Sequence, residues 1–297
     1  MTRLSTGVTF SILALVLSGC ATHTIDRFHS FAEAGRAYSG AMVELTQEAG
    51  RAAIDADSGV LLLGRAGWSP AERESILVEH TRELERLLAA LRDLRRHASL
   101  LEDYFTALSS LASGAGSAES AEEAGRLVTS LQSIGSRMET ARIGEAAVGD
   151  FVAAAAPLSV AGSIQEALED ELQGHGDAVD RQIALQEAAL EALTAETEAD
   201  LDAILKHRAY TEVASRFIAD GRLPAGWVED RREVLSGYVT LASVQNAADA
   251  AGRLRETFRA LVEGRTEAGD FDLLFSDIRA MIDLIELVRD NTEGGEE

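Results

Sequence analysis

One cysteine, three prolines and a single lysine are all that the 297 residues hold of those types. A lone thiol closes no internal disulfide and shares no metal site with a second sulfur, so Cys20 is not a fold staple. With proline only at positions 70, 157 and 224, little in the chain forces a long helix to stop. Aromatic residues make up 5% of the sequence. Alternating runs of β-branched residues are almost missing, which removes the mark of half-buried strands. Lys and Arg total 27 against 50 Asp and Glu, for a formal net charge of -23. A body this acidic is repelled by nucleic acid and by anionic headgroups, so nucleic acid is not expected as a partner.

Catalytic motifs are missing too. There is no H-E-x-x-H, no phosphate-binding glycine loop and no G-x-S-x-G. None of the six histidines follows a glutamate by three residues, so the Glu-x-x-His pairs of di-iron bundles do not occur. Asp26 and His29 have a usable spacing, but one pair does not make a site. Asp55, Asp57 and Gly59 faintly suggest a calcium loop, yet its twelfth position, which needs glutamate, is Ala66. They read instead as a helix break with capping carboxylates. His80 falls on an apolar stripe, where a neighbouring carboxylate is expected to satisfy it. No metal, cofactor or catalytic residue is expected, and the chain reads as a non-enzyme.

What remains is rich in Ala, Leu, Glu and Arg, all strong helix formers. The expected fold is all-α: an elongated antiparallel bundle of about six long, coiled-coil-like helices. The first spans about 26–63, with Phe28, Phe31, Gly35, Tyr38, Met42 and Leu45 on one face. The second opens at Ser69-Pro70-Ala71-Glu72, a capping box with proline at the first turn. Its apolar stripe then runs from Leu77 through His80, Leu84, Leu87, Leu91 and Leu94 to Ala112 without a missed step. A third, capped by Ser120 and Glu123, carries Leu127, Leu131, Ile134, Met138, Ala141, Val148 and Val152 before Pro157. The fourth is expected over about 177–220, the fifth over about 226–262 and a short sixth from Phe271 to Val288. Residues 291–297 read as a flexible acidic tail.

Both tryptophans sit at turns that echo one another, Gly64-Arg65-Ala66-Gly67-Trp68 and Gly221-Arg222-Leu223-Pro224-Ala225-Gly226-Trp227. Trp68 and Trp227 are the candidate plugs of two hairpin ends. The echo raises a duplication of one hairpin, joined near Pro157, against the simple reuse of Gly and Pro at helical turns.

At the N-terminus, Arg3 precedes the uncharged run Val8–Leu17, VTFSILALVL. That run is too short to span a bilayer, which takes roughly 20 apolar residues, and suits a signal-peptide core. The following Leu17-Ser18-Gly19-Cys20 resembles the lipobox of bacterial lipoproteins. The resemblance implies cleavage between Gly19 and Cys20 and a diacylglyceryl thioether on Cys20, the one covalent lipid expected here. It divides the chain into a signal peptide at 1–19, a lipidated cysteine with a short tether at 20–26, and the bundle at 27–290. Ala21, in place of the aspartate that retains such proteins at the inner membrane of enteric bacteria, implies the outer membrane facing the periplasm, the inner membrane being the alternative. The functional expectation is a lipid-anchored, non-catalytic binding or scaffolding module for an envelope protein, or for a second copy of itself. The rival is a membrane-active protein whose uncharged segment 151–164 inserts into lipid, as in elongated helical pore-forming toxins, which it resembles only in architecture. A tightly packed crossover is the favoured reading of that segment.

Overall fold

Ser69 starts the second long helix as its sequence asks. Its Oγ accepts from the Glu72 N–H at 3.4 Å, while the Ser69 N–H donates to Glu72 Oε2 at 2.7 Å. The structure, a computed structural model, describes residues 8–113, 118–144, 146–152, 155–161, 166–219 and 221–293; the side chains of 8–24, 197–200, 268 and 290–293 lie outside that description. The described chain is all-α. Its helices are α1 (Val8–Gly64), α2 (Pro70–Ala112), α3 (Ala118–Thr140), α4 (Val148–Phe151), α5 (Glu166–Arg208), α6 (Ser215–Ile218), α7 (Trp227–Val262) and α8 (Ala268–Glu293). Helices α2 and α5 have 43 residues each, about 65 Å at 1.5 Å per residue. None of the described helices is long and apolar enough to cross a membrane.

Five boundaries depart from the sequence reading. The first helix begins at Val8, well before Asp26. It also runs unbroken through Asp55, Asp57 and Gly59 to Gly64, so the expected break is not there. Helix α3 begins at Ala118, which puts Ser120 inside it, not at its cap. It ends at Thr140, ahead of a turn in which Gly144 takes φ +61, a left-handed conformation that favours glycine. A two-residue antiparallel pair follows, Arg142 opposite Ala147 and Ile143 opposite Ala146, and then α4. The fourth expected helix starts earlier, at Glu166, and passes into a π-helical segment, Ala209–Ala214, before α6. At its end the Ser215 N–H donates to the Tyr210 carbonyl. Gly221 (φ +143) and Gly226 (φ +96) then turn the chain into α7.

Short turns make neighbours antiparallel. The most extensive packing joins α1 to α2, α5 to α7 and α7 to α8. The orders α1–α2–α3 and α5–α7–α8 match: long helix, tryptophan turn, long helix, short turn, shorter helix. Buried positions also recur at a separation of 150 residues, Leu94 with Val244, Leu111 with Leu261, Leu131 with Met281 and Met138 with Val288. The likeness in arrangement thus extends over three helices, where the tryptophan turns alone suggested a hairpin. Pro157 lies in the connection between the two units.

The core joins the units through aromatic rings. Phe31 of α1 meets Phe105 of α2 edge-on, and stacks on Phe258 of α7, both at 5.6 Å between centroids. All three are fully buried. Gly35, one turn beyond Phe31, lets the Phe105 ring lie against the α1 backbone; a Cβ there would stand 2.6 Å from Phe105 Cδ2. Gly40 has no such neighbour, only Glu102 Oε1 at 3.9 Å. Gly35→Ala is therefore expected to destabilise by about 1–3 kcal/mol through overpacking. Gly40→Ala is expected to stabilise by about 0.5–1 kcal/mol, since alanine is the better helix former. Thermal or urea unfolding of the two variants gives shifts of opposite sign.

Candidate functional site

The apolar stripe of α2 is continuous in sequence but not in burial. Leu91, Leu94, Ala98, Leu101, Phe105 and Leu108 are all buried. Leu84 and Leu87 are only half-buried, and Leu77 is 53% exposed. The main core thins at the same level on the other long helices, though Leu201, Ile204, Leu205 and Val234 are buried beyond it. The main core stops at Ala49 on α1, Ala90 on α2, Leu193 on α5 and Val244 on α7. Beyond it both hairpins continue to their tryptophan turns.

Between them lies a cleft of about 430 Å³. One wall is α1, with Ala49, Ala52, Ala53, Ala56 and Val60. The opposite wall brings Leu193, Leu201 and Ile204 from α5 with Leu241 and Val244 from α7, and Leu84 and Leu87 close the side. The rim is polar: Asp57, His80, Glu83 and Arg86 from the first hairpin, Arg142 and Glu196 from the other side. His80 Nδ1 lies 2.6 Å from Asp57 Oδ1, the carboxylate partner expected for a stripe histidine. Toward the turns Gly59 lets Ile204 approach α1; a Cβ there would sit 3.2 Å from Ile204 Cγ2. Nearby, the Asp55 carboxyl is held above its ordinary pKa by burial first and by the Glu233 charge, with Arg208 acting against both.

Below the cleft a polar layer crosses the core. His97 of α2 is fully buried. Its Nε2–H donates to Gln182 Oε1 at 2.9 Å, and Gln186 Nε2–H donates to its Nδ1 at 3.1 Å, which defines one neutral tautomer. Gly135 of α3 makes room, since a Cβ there would collide with the Gln182 amide. Asp180 of α5, 4% exposed, takes Arg255 at 3.2 Å and Arg259 at 2.8 Å from α7. The sequence reading singled out none of these partners.

The other candidates are dispersed. Trp68 and Trp227 stand at the ends of the two hairpins, each half-buried. Trp68 lies against Gly64, where a side chain would clash with its ring. Trp227 stacks on Phe217 at 5.3 Å and donates its Nε1–H to the Val213 carbonyl at 3.0 Å. His29 meets Ser109 and Glu33, and His175 meets Glu171. No group of three or more metal-ligating side chains occurs among the described residues. Gly19 and Cys20 lie where side chains are outside the description. Of the apolar segment, Val152, Leu158 and Val160 pack against the core. The Leu158 N–H donates to Asp177, Arg259 reaches the Ala156 carbonyl, and the Ala161 N–H donates to the Val262 carbonyl. Residues 153–154 and 162–164 of that segment are outside the described residues.

Compared with protein-family models, curated proteins and solved structures, the chain matches none.

The polar layer predicts a pH signature. Burial holds His97 at a pKa of about 4, against an ordinary 6.5, and the Gln182 hydrogen bond offsets this only in part. Between those values the unfolded chain binds a proton that the native state refuses. The stability that depends on neutral His97 is complete above pH 6.5 and is lost as pH falls toward about 4. His97→Gln lacks this dependence. In urea unfolding, the loss of stability between pH 7 and pH 5 is expected to be about 2 kcal/mol smaller for the variant.

Proposed function

We propose that this chain is a lipid-anchored protein of the bacterial cell envelope, a non-catalytic binding module that holds a protein partner away from its membrane. The observation that carries the reading is the polarity of α1. The helix that contains Cys20 has Phe28 as the first buried apolar residue among those whose side chains are described, and ends at the opposite tip at Gly64. From Phe28 to Gly64 it covers about 55 Å at 1.5 Å per residue. An acyl group on Cys20 would fix one end of the bundle at the bilayer and leave the tryptophan turns projecting. Those turns carry the exposed apolar side chains of the far end: Leu62 (72%), Ile218 (76%), Phe217 and Val228 (63% each). Clustered apolar exposure of this kind marks interaction sites. The outer membrane, facing the periplasm, is the proposed location, on the strength of Ala21 after Cys20.

Two experiments test this. Cys20→Ser is expected to leave the chain uncleaved by the lipoprotein peptidase and released from the membrane fraction, read by fractionation and mass spectrometry of the N-terminus. Normal processing and anchoring of that variant would refute lipidation. A photo-crosslinking residue placed at Ile218 or Leu62 of the native protein in cells is expected to trap one stoichiometric envelope protein. Self-crosslinks alone would make the partner a second copy. Crosslinks to lipid alone would overturn the protein-binding reading.

A further inference from the structure

We propose that copies of this chain associate side by side through unlike faces, an arginine face on α2 of one copy meeting the acidic outer face of α8 on the next. Three side chains carry the inference. Arg92, Arg95 and Arg96 are exposed, and none of them has a hydrogen bond or ion pair among the described residues. Arg95 and Arg96 follow Arg92 by three and four positions, so all three share one side of the helix. Gly50 of α1 stands opposite Leu91 and Gly40 opposite Glu102, which sets the arginines level with Glu44 and Glu48. The acids at that level are committed elsewhere: Glu44 to Arg289 at 3.5 Å, Glu48 to Arg51 at 2.9 Å and Asp93 to Arg137 at 3.2 Å. The neighbouring helix α3 has no carboxylate between Glu123 and Glu139. It exposes Thr129, Ser130, Gln132, Ser133 and Ser136 there. On a body of net charge -23, three unpaired cations in one patch call for an anion from outside the copy.

A second copy presents that anion on α8. Asp283 and Glu286 are exposed and make no ion pair among the described residues, not even with Arg279 one turn away. Leu287, 49% exposed, lies beside them and adds apolar area to a contact. The two faces occupy corresponding places in the fold. The positions 150 residues after Arg92, Arg95 and Arg96 hold Ala242, Gln245 and Asn246, and those 150 residues before Asp283 and Glu286 hold Ser133 and Ser136. Each half thus carries only one member of the charge pair. Their levels agree as well. Arg289 reaches Glu44, so Glu286 and Asp283, three and six residues earlier, lie within about two turns of Arg96. Helix α3 packs on α2 and α5, whereas α8 packs on α7 and α1, so the faces lie on different flanks and one copy can use both. A contact of this kind repeats, into a ring or an open row. The net charge does not forbid it, because at about 0.15 M salt the screening length is about 8 Å and the charges at the contact dominate. Exposed ion pairs are weak one by one, and confinement to one bilayer raises their effective concentration.

The contact itself does not depend on the lipid anchor and is tested without one, so its failure is separate from a failure of lipidation. The full chain carrying Cys20→Ser is followed by sedimentation and small-angle scattering up to about 1 mM, the range that contacts of a few ion pairs populate. At about 0.15 M salt the mean mass is expected to rise with concentration past that of two copies. It is expected to return to that of one copy near 1 M, where the screening length is about 3 Å. Arg92→Glu, Arg95→Glu and Arg96→Glu together are expected to weaken association at least ten-fold, as are Asp283→Arg and Glu286→Arg together. An equimolar mixture of the two reversed chains is expected to regain it, because the intact acids of the first meet the intact arginines of the second. All five side chains are exposed and unpaired, so the thermal midpoint is expected to stay that of the parent. A triple variant with a lowered midpoint is replaced by Arg95→Glu, judged by the same loss and the same recovery on mixing. A monomeric parent would overturn the proposal, as would association that survives charge reversal or high salt, or a mixture that stays monomeric. Growth that stops at two copies would overturn the pairing of unlike faces.

Discussion

The packing of Phe31 between Phe105 and Phe258 is the contact on which the rest of this bundle is arranged. One ring on α1 touches α2 of its own unit and α7 of the other, so a single side chain fixes the spacing of both hairpins. Gly35 draws α1 and α2 together beside it. Everything outward inherits that spacing. On one side the helices close into a buried core; on the other, where alanines and Val60 follow the aromatics on α1, the same spacing leaves a gap. The cleft is therefore a product of side-chain size along helices whose backbones continue past it.

Polar groups inside the core act as fasteners with a defined register. The two glutamines of α5 lie one turn apart, and only one placement of α2 offers His97 to both. Asp180 does the same between α5 and α7, taking two arginines one turn apart. Buried charges add little net stability when paired and cost much when left alone. Their effect here is to penalise sliding of α5 against its neighbours, which a smooth stripe of Leu and Ala resists poorly.

Much of this was legible in the residues. Capping chemistry located the start of α2, and three-four periodicity located every long helix. Burial was less legible, because the stripe from Leu77 to Ala112 reads alike on both sides of Leu91. Whether a leucine meets a partner helix or a space depends on what faces it, and the facing alanines lie some thirty residues away in sequence. The carboxylate beside His80 was expected in kind, but the sequence tied Asp57 to a helix break and not to His80. The stripe read on from Met138 to Val152 crosses the end of α3 at Thr140 and a turn at Gly144, whose left-handed backbone no apolar count reveals.

The π-helical segment at Ala209–Ala214 has a consequence for how this surface could change over time. Hydrogen bonds in such a segment reach one residue further than in an α-helix, so the segment absorbs a residue without breaking the rod. Each residue turns a helix by about 100°, and the side chains beyond the segment are rotated by that amount. Phe217 and Ile218, both exposed, lie just beyond the segment. Loss of a single codon between 209 and 214 would swing this pair round the helix axis while Leu62 and Val228 kept their places. The exposed end of the second hairpin is thus adjustable by insertion and deletion, while the core below it stays in register.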